Sequence, residues 1–267
     1  MKTLIKNARI ISPGIDLPGA AVEIEGKTIT AVYPAGSELP AADKVVDAEG
    51  RMLLPGFIDI HSHGAGGCEK GYYLADCFGL RLLNRRGCFP KFDLFIEQTK
   101  DIWKDMLDIR KRFEPRAEEL AKKYALAPYT MFIGSGALWG ETILFSMCIL
   151  EEMQWKRTRY ITSADFFHGT LELVEPGVPV FLFMGEDENR KLDERVRAFL
   201  TRGVTGDTDI NIIDTAEFAI PGLDDEFRVI VSPWILTVLV TDRLARYYET
   251  VTKHNLKYRR YYHQFDY

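Results

Sequence analysis

Three groups of residues in this chain have types and spacings that could do chemistry. The first is the run Pro55-Gly56-Phe57-Ile58-Asp59-Ile60-His61-Ser62-His63-Gly64. Side chains alternate along a strand, so His61 and His63 at a strand end fall on one side. Two imidazoles so placed can share a metal, typically zinc, that acidifies a bound water for hydrolysis. The plainer alternative is a coincidental pair at a strand end. The second group is Glu152, near the end of an apolar helical stretch, with His168 just past a short strand and before Gly169. A carboxylate and an imidazole converging on a cleft would suit proton transfer in sugar chemistry. Against that, a lone Glu on a helix is usually solvated and a lone His usually structural. The third is Gly134-Ser135-Gly136 between a strand and a helix. Its backbone amides could cradle a phosphate, or it is a plain strand-to-helix turn.

The elements that must position these groups differ in texture along the chain. Residues 3–60 alternate and turn often: LIKNARII, AAVEIEGKTITAVYP and KVVDAEGRMLLPGFIDI read as short strands, with GIDLPG, EGK and AEGR as turns. From residue 76 to 86 and again from 91 to 113 the spacing is helical. Phe92, Phe95, Ile102, Trp103, Met106 and Ile109 would make one apolar face. Pro90 and Pro115 read as breaks between helices, with a polar helix continuing over 116–125. An α/β rhythm follows: strands at 129–134, 158–161, 179–185 and 210–214, helices at 137–155 and 187–200, and a long apolar helix entered at Ser232-Pro233 and running to Thr252. Strands alternating with helices imply a mostly parallel sheet covered on both faces.

Composition narrows the classes. Of the 267 residues 46% are hydrophobic and 27% charged, ordinary for a globular protein, and the net charge of -5 gives no basic footprint for nucleic acid. There is no apolar run long enough to span a membrane. Lys6, Asn7 and Arg9 interrupt the N-terminal apolar stretch, so it reads as a strand and not a secretory signal. Cys68, Cys77, Cys88 and Cys148 lack the close pairs of a zinc site. Cys148 reads as a buried small hydrophobe, and the setting as reducing and cytoplasmic. Arg190 and Lys191 read as solvated. Arg259 and Arg260 in the Tyr-rich tail read as surface or interface groups able to pair with carboxylates or a phosphate.

Through TLIKNARII, VVDAEGRMLLPGFID and HSHGAGG, residues 1–67 resemble the amidohydrolase superfamily, specifically the start of N-acetylglucosamine-6-phosphate deacetylases. The resemblance implies part of a small β-sandwich and the first strand of a metal-binding barrel. The further ligands of that barrel, a Glu or carboxylated Lys, two more His and a late Asp, have no counterpart pattern here. His61 and His63 are therefore an incomplete metal site, zinc being the metal it would take.

Through FIGSGALWGE, LEEMQW, FFHGTLELVE, PVFLFMGEDENR and RRYYHQFDY, residues 127–267 resemble the second SIS (sugar isomerase) domain of double-SIS proteins, most closely the fructosamine-6-phosphate deglycases. Residues 76–125 resemble the end of the first SIS domain and its helical linker. The resemblance implies Glu152 as catalytic base and His168, sixteen residues later, as the ring-opening group, often contributed across a subunit interface. The first SIS domain, whose loop holds the sugar phosphate, is essentially absent. Aromatic residues near Tyr261, Tyr262 and His263 stand where the synthases of the family carry a catalytic Lys.

The expectation is thus an α/β protein: a small incomplete β segment (1–67), a helical linker (68–126) and a SIS-type three-layer domain with a parallel sheet (127–267). The function expected is that of a phosphosugar isomerase or deglycase acting on amino-sugar or fructosamine 6-phosphates. Two alternatives stand beside it, a deacetylase fragment and a non-catalytic sugar-phosphate-binding module. The SIS part needs no cofactor, Gly134, Ser135 and Gly136 are the candidate substrate contacts, and the partner is a second copy packed on the helix 233–252. The β segment lacks its partner strands, which leaves an apolar face uncovered.

Overall fold

The computed structural model describes residues 1–12, 15–54, 68–203, 205–262 and 264–266, with 68–70 as backbone only. His61 and His63 lie outside the described residues, as does the side chain of Cys68. The chain divides into two compact units, Met1–His61 and Ser62–Tyr267.

The first unit is a single sheet of β1 (Lys2–Ser12), β2 (Ile15–Glu25), β3 (Thr28–Tyr33), β4 (Lys44–Asp47) and β5 (Met52–Leu53). The order is β3-β2-β1-β4, with β5 also on β1. β1 pairs antiparallel with β2 but parallel with β4 and β5. Its register slips at Asn7, which adopts a left-handed backbone (φ 55°) and donates its side-chain amide to Asp47. Leu4, Ala8 and the consecutive run from Ala20 to Glu23 are buried, whereas Ile15, Ile29, Val32, Val45, Val46 and Met52 are exposed. The strands nonetheless leave apolar residues in water.

The second unit is built on a four-stranded parallel sheet, β6 (Tyr129–Ile133), β7 (Arg157–Ile161), β8 (Val180–Met184) and β9 (Ile210–Asp214), in the order β7-β6-β8-β9. β8 is buried throughout, as a strand covered on both faces must be. Phe132, Phe181 and Phe183 point to one face, where they meet α1 (Cys68–Arg85), α2 (Phe92–Thr99), α3 (Ile102–Tyr124), α4 (Trp139–Ile143, continued as π-helical turns over Leu144–Met153) and the C-terminal helix. Met131, Ile133, Leu182 and Met184 point to the other, against Phe166 and α5 (Arg190–Leu200). The C-terminal helix comprises α6 (Asp225–Leu236), π-helical turns over Thr237–Leu244 and α7 (Ala245–Thr252).

Both interior prolines depart from their sequence reading. Pro115 does not end a helix: α3 runs through it, because Ile102, Met106, Ile109, Phe113, Ala117, Leu120, Ala121 and Tyr124 continue one buried stripe on either side. Packing of that stripe outweighs the missing amide and the ring clash of a mid-helix proline. The C-terminal helix begins at Asp225, eight residues before the buried Pro233 that was expected to open it. Trp103 is part-exposed and stands off the stripe, and Cys148 is half-buried. The helix expected to present an apolar interface is spent inside its own chain: Trp234, Ile235, Leu236, Val238, Leu239, Val240 and Leu244 are all buried.

Candidate active site

Glu152 sits at the last turn of α4. The helix closes through Trp155, held in the left-handed region (φ 53°), with Trp155 N–H donating to the Glu151 carbonyl (3.1 Å) and Lys156 N–H to the Leu150 carbonyl (2.8 Å). A tryptophan in that region is costly, and such strain persists only where the surroundings impose it. Here the C-terminal tail packs against that tryptophan. The Gln154 side chain donates to the His254 carbonyl (2.5 Å) and accepts from Thr252 Oγ1 (2.7 Å), and the His254 ring meets Trp155 edge-on at 4.4 Å.

Between this helix end and the tail lies a cleft of about 750 Å³, lined by Pro128, Glu151, Glu152, Trp155, Lys156, Arg157 and the tail residues from Arg259 to Tyr262. Glu152 Oε1 faces Arg259 Nε at 2.7 Å, and the two side chains are only 22% and 17% exposed. Neither atom has an aligned hydrogen-bond partner, so the contact is an ion pair. The Arg259 guanidinium is fixed from behind by the Leu256 and Tyr258 carbonyls (2.8 and 2.9 Å). Glu151 accepts from Thr158 Oγ1 at 2.6 Å. Lys156 donates to the Ala127 carbonyl (2.5 Å), and burial pushes its pKa down. The arrangement offers a fixed carboxylate in a partly dry cleft, the setting a proton-transferring base requires. The sequence offered Arg259 as a group able to pair with a carboxylate but did not join it to Glu152. The charge pattern of the tail was the available signal for Arg259.

His168 is not in that cleft. It closes a short turn after β7, exposed, beside Phe166 and Phe167, which pack on the α5 face of the sheet. The helix of Glu152 packs on the opposite face. One chain therefore does not bring the two residues together.

Gly134, Ser135 and Gly136 are at the other end of the sheet, past the carboxyl end of β6. Gly136 has φ +55°, and a Cβ there would fall 2.1 Å from Asp187 Oδ2. The Asp187 carboxylate accepts from Ala137 N–H (2.5 Å) and Asn189 N–H (2.7 Å). At Gly134 a Cβ would collide with Thr142 Oγ1 at 2.2 Å. The expected phosphate cradle thus already holds an anion, one of the chain's own. Ser135 Oγ accepts from Ser163 N–H (2.7 Å), and Ser163 Oγ donates to Asp193 (2.6 Å). Burial raises the Asp193 carboxyl to about 6.

A second buried carboxyl, Glu141 on α4, is raised by burial to about 7. It accepts from the Tyr72 hydroxyl at 3.2 Å and from Thr241 Oγ1. Among the described residues no cluster of His, Cys, Asp and Glu could hold a metal ion, and no helix is long and apolar enough to cross a membrane.

The β7-β6-β8-β9 parallel sheet with helices on both faces is the fold of the SIS-type phosphosugar isomerases. A structure described as a phosphosugar isomerase from Bacillus subtilis superposes with a TM-score of 0.61 at 28% identity, over 66% of this chain and 53% of that one. In sequence, the fructosamine deglycase of Bacillus subtilis is 28% identical over 185 residues, 68% of this chain and 53% of that protein. The chain spans about half the length of the curated deglycases it matches. The N-terminal segment is similar to different proteins. Residues 44–78 match the Amidohydrolase family, and an imidazolonepropionase of Arthrobacter is 48% identical over 67 residues, 24% of this chain and 16% of that protein. The chain is composite: an amidohydrolase-like beginning, then a SIS-type remainder that resembles fructosamine deglycases.

Proposed function

We propose that this chain is a SIS-type sugar-phosphate deglycase or isomerase in which Glu152 is the base. The observation that carries the reading is the Glu152 carboxylate, fixed against Arg259 inside a cleft large enough for a sugar phosphate. With a fructosamine 6-phosphate, Glu152 takes a proton from C1, leaving an enaminol, and returns it to C2. The C1 imine so formed is hydrolysed by one water to the free amine and an aldose 6-phosphate. His168 opens the sugar ring from a second copy of the chain, consistent with its exposure and its place on the opposite face of the sheet.

The test is amine release from a fructosamine 6-phosphate. Glu152→Gln should lose about 100-fold or more. Mixing Glu152→Gln with His168→Ala should restore about a quarter of the wild-type rate, since random pairing of two inactive copies leaves one intact site in half the dimers. No release by folded wild-type protein would overturn the catalytic reading, and no rescue on mixing would overturn the shared site.

A further inference from the structure

The protein is acidic overall, with a net charge of -5, yet its cleft runs the other way. Lys156, Arg157, Arg259 and Arg260 face two carboxylates, Glu151 and Glu152. Arg259 is consumed by Glu152, and Lys156 by a backbone carbonyl. Arg157 and Arg260 remain: among the described residues no carboxylate lies within ion-pair distance of either one. Two guanidiniums without counter-charges on the wall of one concave site focus positive potential there. The Arg260 guanidinium also lies 4.3 Å from the centre of the Trp155 ring, which stacks it and leaves its N–H fork free. Trp155 adopts a left-handed backbone, and the same turn carries Lys156 and Arg157 into the lining of the cleft. The usual anion position at the carboxyl edge of the sheet is meanwhile filled by Asp187.

We propose that Arg157 and Arg260 form an anion-binding subsite in the Glu152 cleft. It takes the phosphate group of a sugar phosphate at the amino edge of the sheet and leaves the Gly134–Gly136 loop unused. Planar guanidiniums suit this task because each can give a phosphate two parallel hydrogen bonds. The choice of phosphate as the anion rests on the sugar-phosphate reading above; the cationic subsite itself rests on the cleft.

The test is calorimetric titration of the full chain with inorganic phosphate, fructose 6-phosphate and fructose. Phosphate and fructose 6-phosphate should bind, and fructose should bind far more weakly. Arg157→Gln and Arg260→Gln should each weaken both phosphorylated ligands about 10-fold, as expected for losing one charged hydrogen-bonding group. The double variant should weaken them further, and the single variants carry the test if the double does not fold. Ser135→Ala should bind as the wild type does. Wild-type affinity in both arginine variants, loss of binding in Ser135→Ala, or no phosphate binding at all would each overturn the subsite. Intact phosphate binding by a wild-type protein that turns over no sugar phosphate would sink the catalytic reading and leave the subsite standing.

Discussion

The two ends of the four-stranded sheet differ in how their charges are used. At the carboxyl end, where open α/β sheets commonly bind ligands, the polar groups are matched to one another. Arg190 forms two hydrogen bonds to Asp214 (2.9 and 2.6 Å), and Arg228 clamps Glu186, with both of those side chains nearly buried. Asp187 satisfies the loop amides and Asp193 takes Ser163. At the amino end the matching is incomplete, and two guanidiniums face open volume. On the function proposed above, one end of the sheet is scaffold and the other is site. Position in the fold alone does not distinguish the two ends; the pairing of their charges does.

The largest effect expected from disturbing this contrast is at the closed end. Removing one partner of a buried ion pair leaves the other uncompensated. Arg228→Ala should cost about 3–5 kcal/mol in urea unfolding. Arg157→Ala at the open end should change stability by less than about 0.5 kcal/mol, as at exposed positions without partners. Equal losses would erase the distinction between scaffold and site.

Next in size is the pH dependence that Glu141 imposes. Its folded pKa of about 7 is above the ordinary carboxyl value, so the folded state holds a proton that the unfolded state releases. Stability from this group is therefore greatest below its unfolded pKa and declines as pH rises from about 4.5 to about 7. The full decline is on the order of 3 kcal/mol. Glu141→Gln keeps the shape and an acceptor for Tyr72, carries no charge, and should flatten that decline. A variant more stable than wild type at pH 8, by a margin that shrinks steadily toward pH 4, is the expected result. Parallel pH profiles for the two proteins would show that Glu141 is ionised at little cost inside the fold.

Much of this was legible in the sequence where the signal is local. The alternation of LIKNARII and AAVEIEG placed β1 and β2, and the apolar runs YTMFI and VFLFM placed β6 and β8. The helix that carries Glu152 was placed by the alternation of strands and helices. What was not legible depends on contacts between distant segments. Pro115 and Pro233 looked like helix ends because the local rule is steric, while the burial that overrides it comes from the packed sheet and helices around them. The apolar character of residues 233–252 predicted burial but not by what, and an interface and a core read alike in one chain. The carboxylate filling the Gly134–Gly136 loop comes from Asp187, in the loop after a different strand, and no local pattern joins the two.

The smallest effect, and the sharpest for the comparison, belongs to Asp187. Asp187→Ala removes the acceptor for Ala137 N–H and Asn189 N–H, and should cost about 1 kcal/mol, the typical worth of such a hydrogen bond. The variant also removes the anion from the mouth of the Gly134–Gly136 loop and empties the space beside Gly136. If the amino end is the binding end, phosphate affinity measured by titration should stay at its wild-type value, because the ligand was never in competition with Asp187. A clear gain in phosphate binding would show a second, latent site at the carboxyl end, masked by one side chain. A loss would place the ligand at that end from the start and reverse the assignment of scaffold and site.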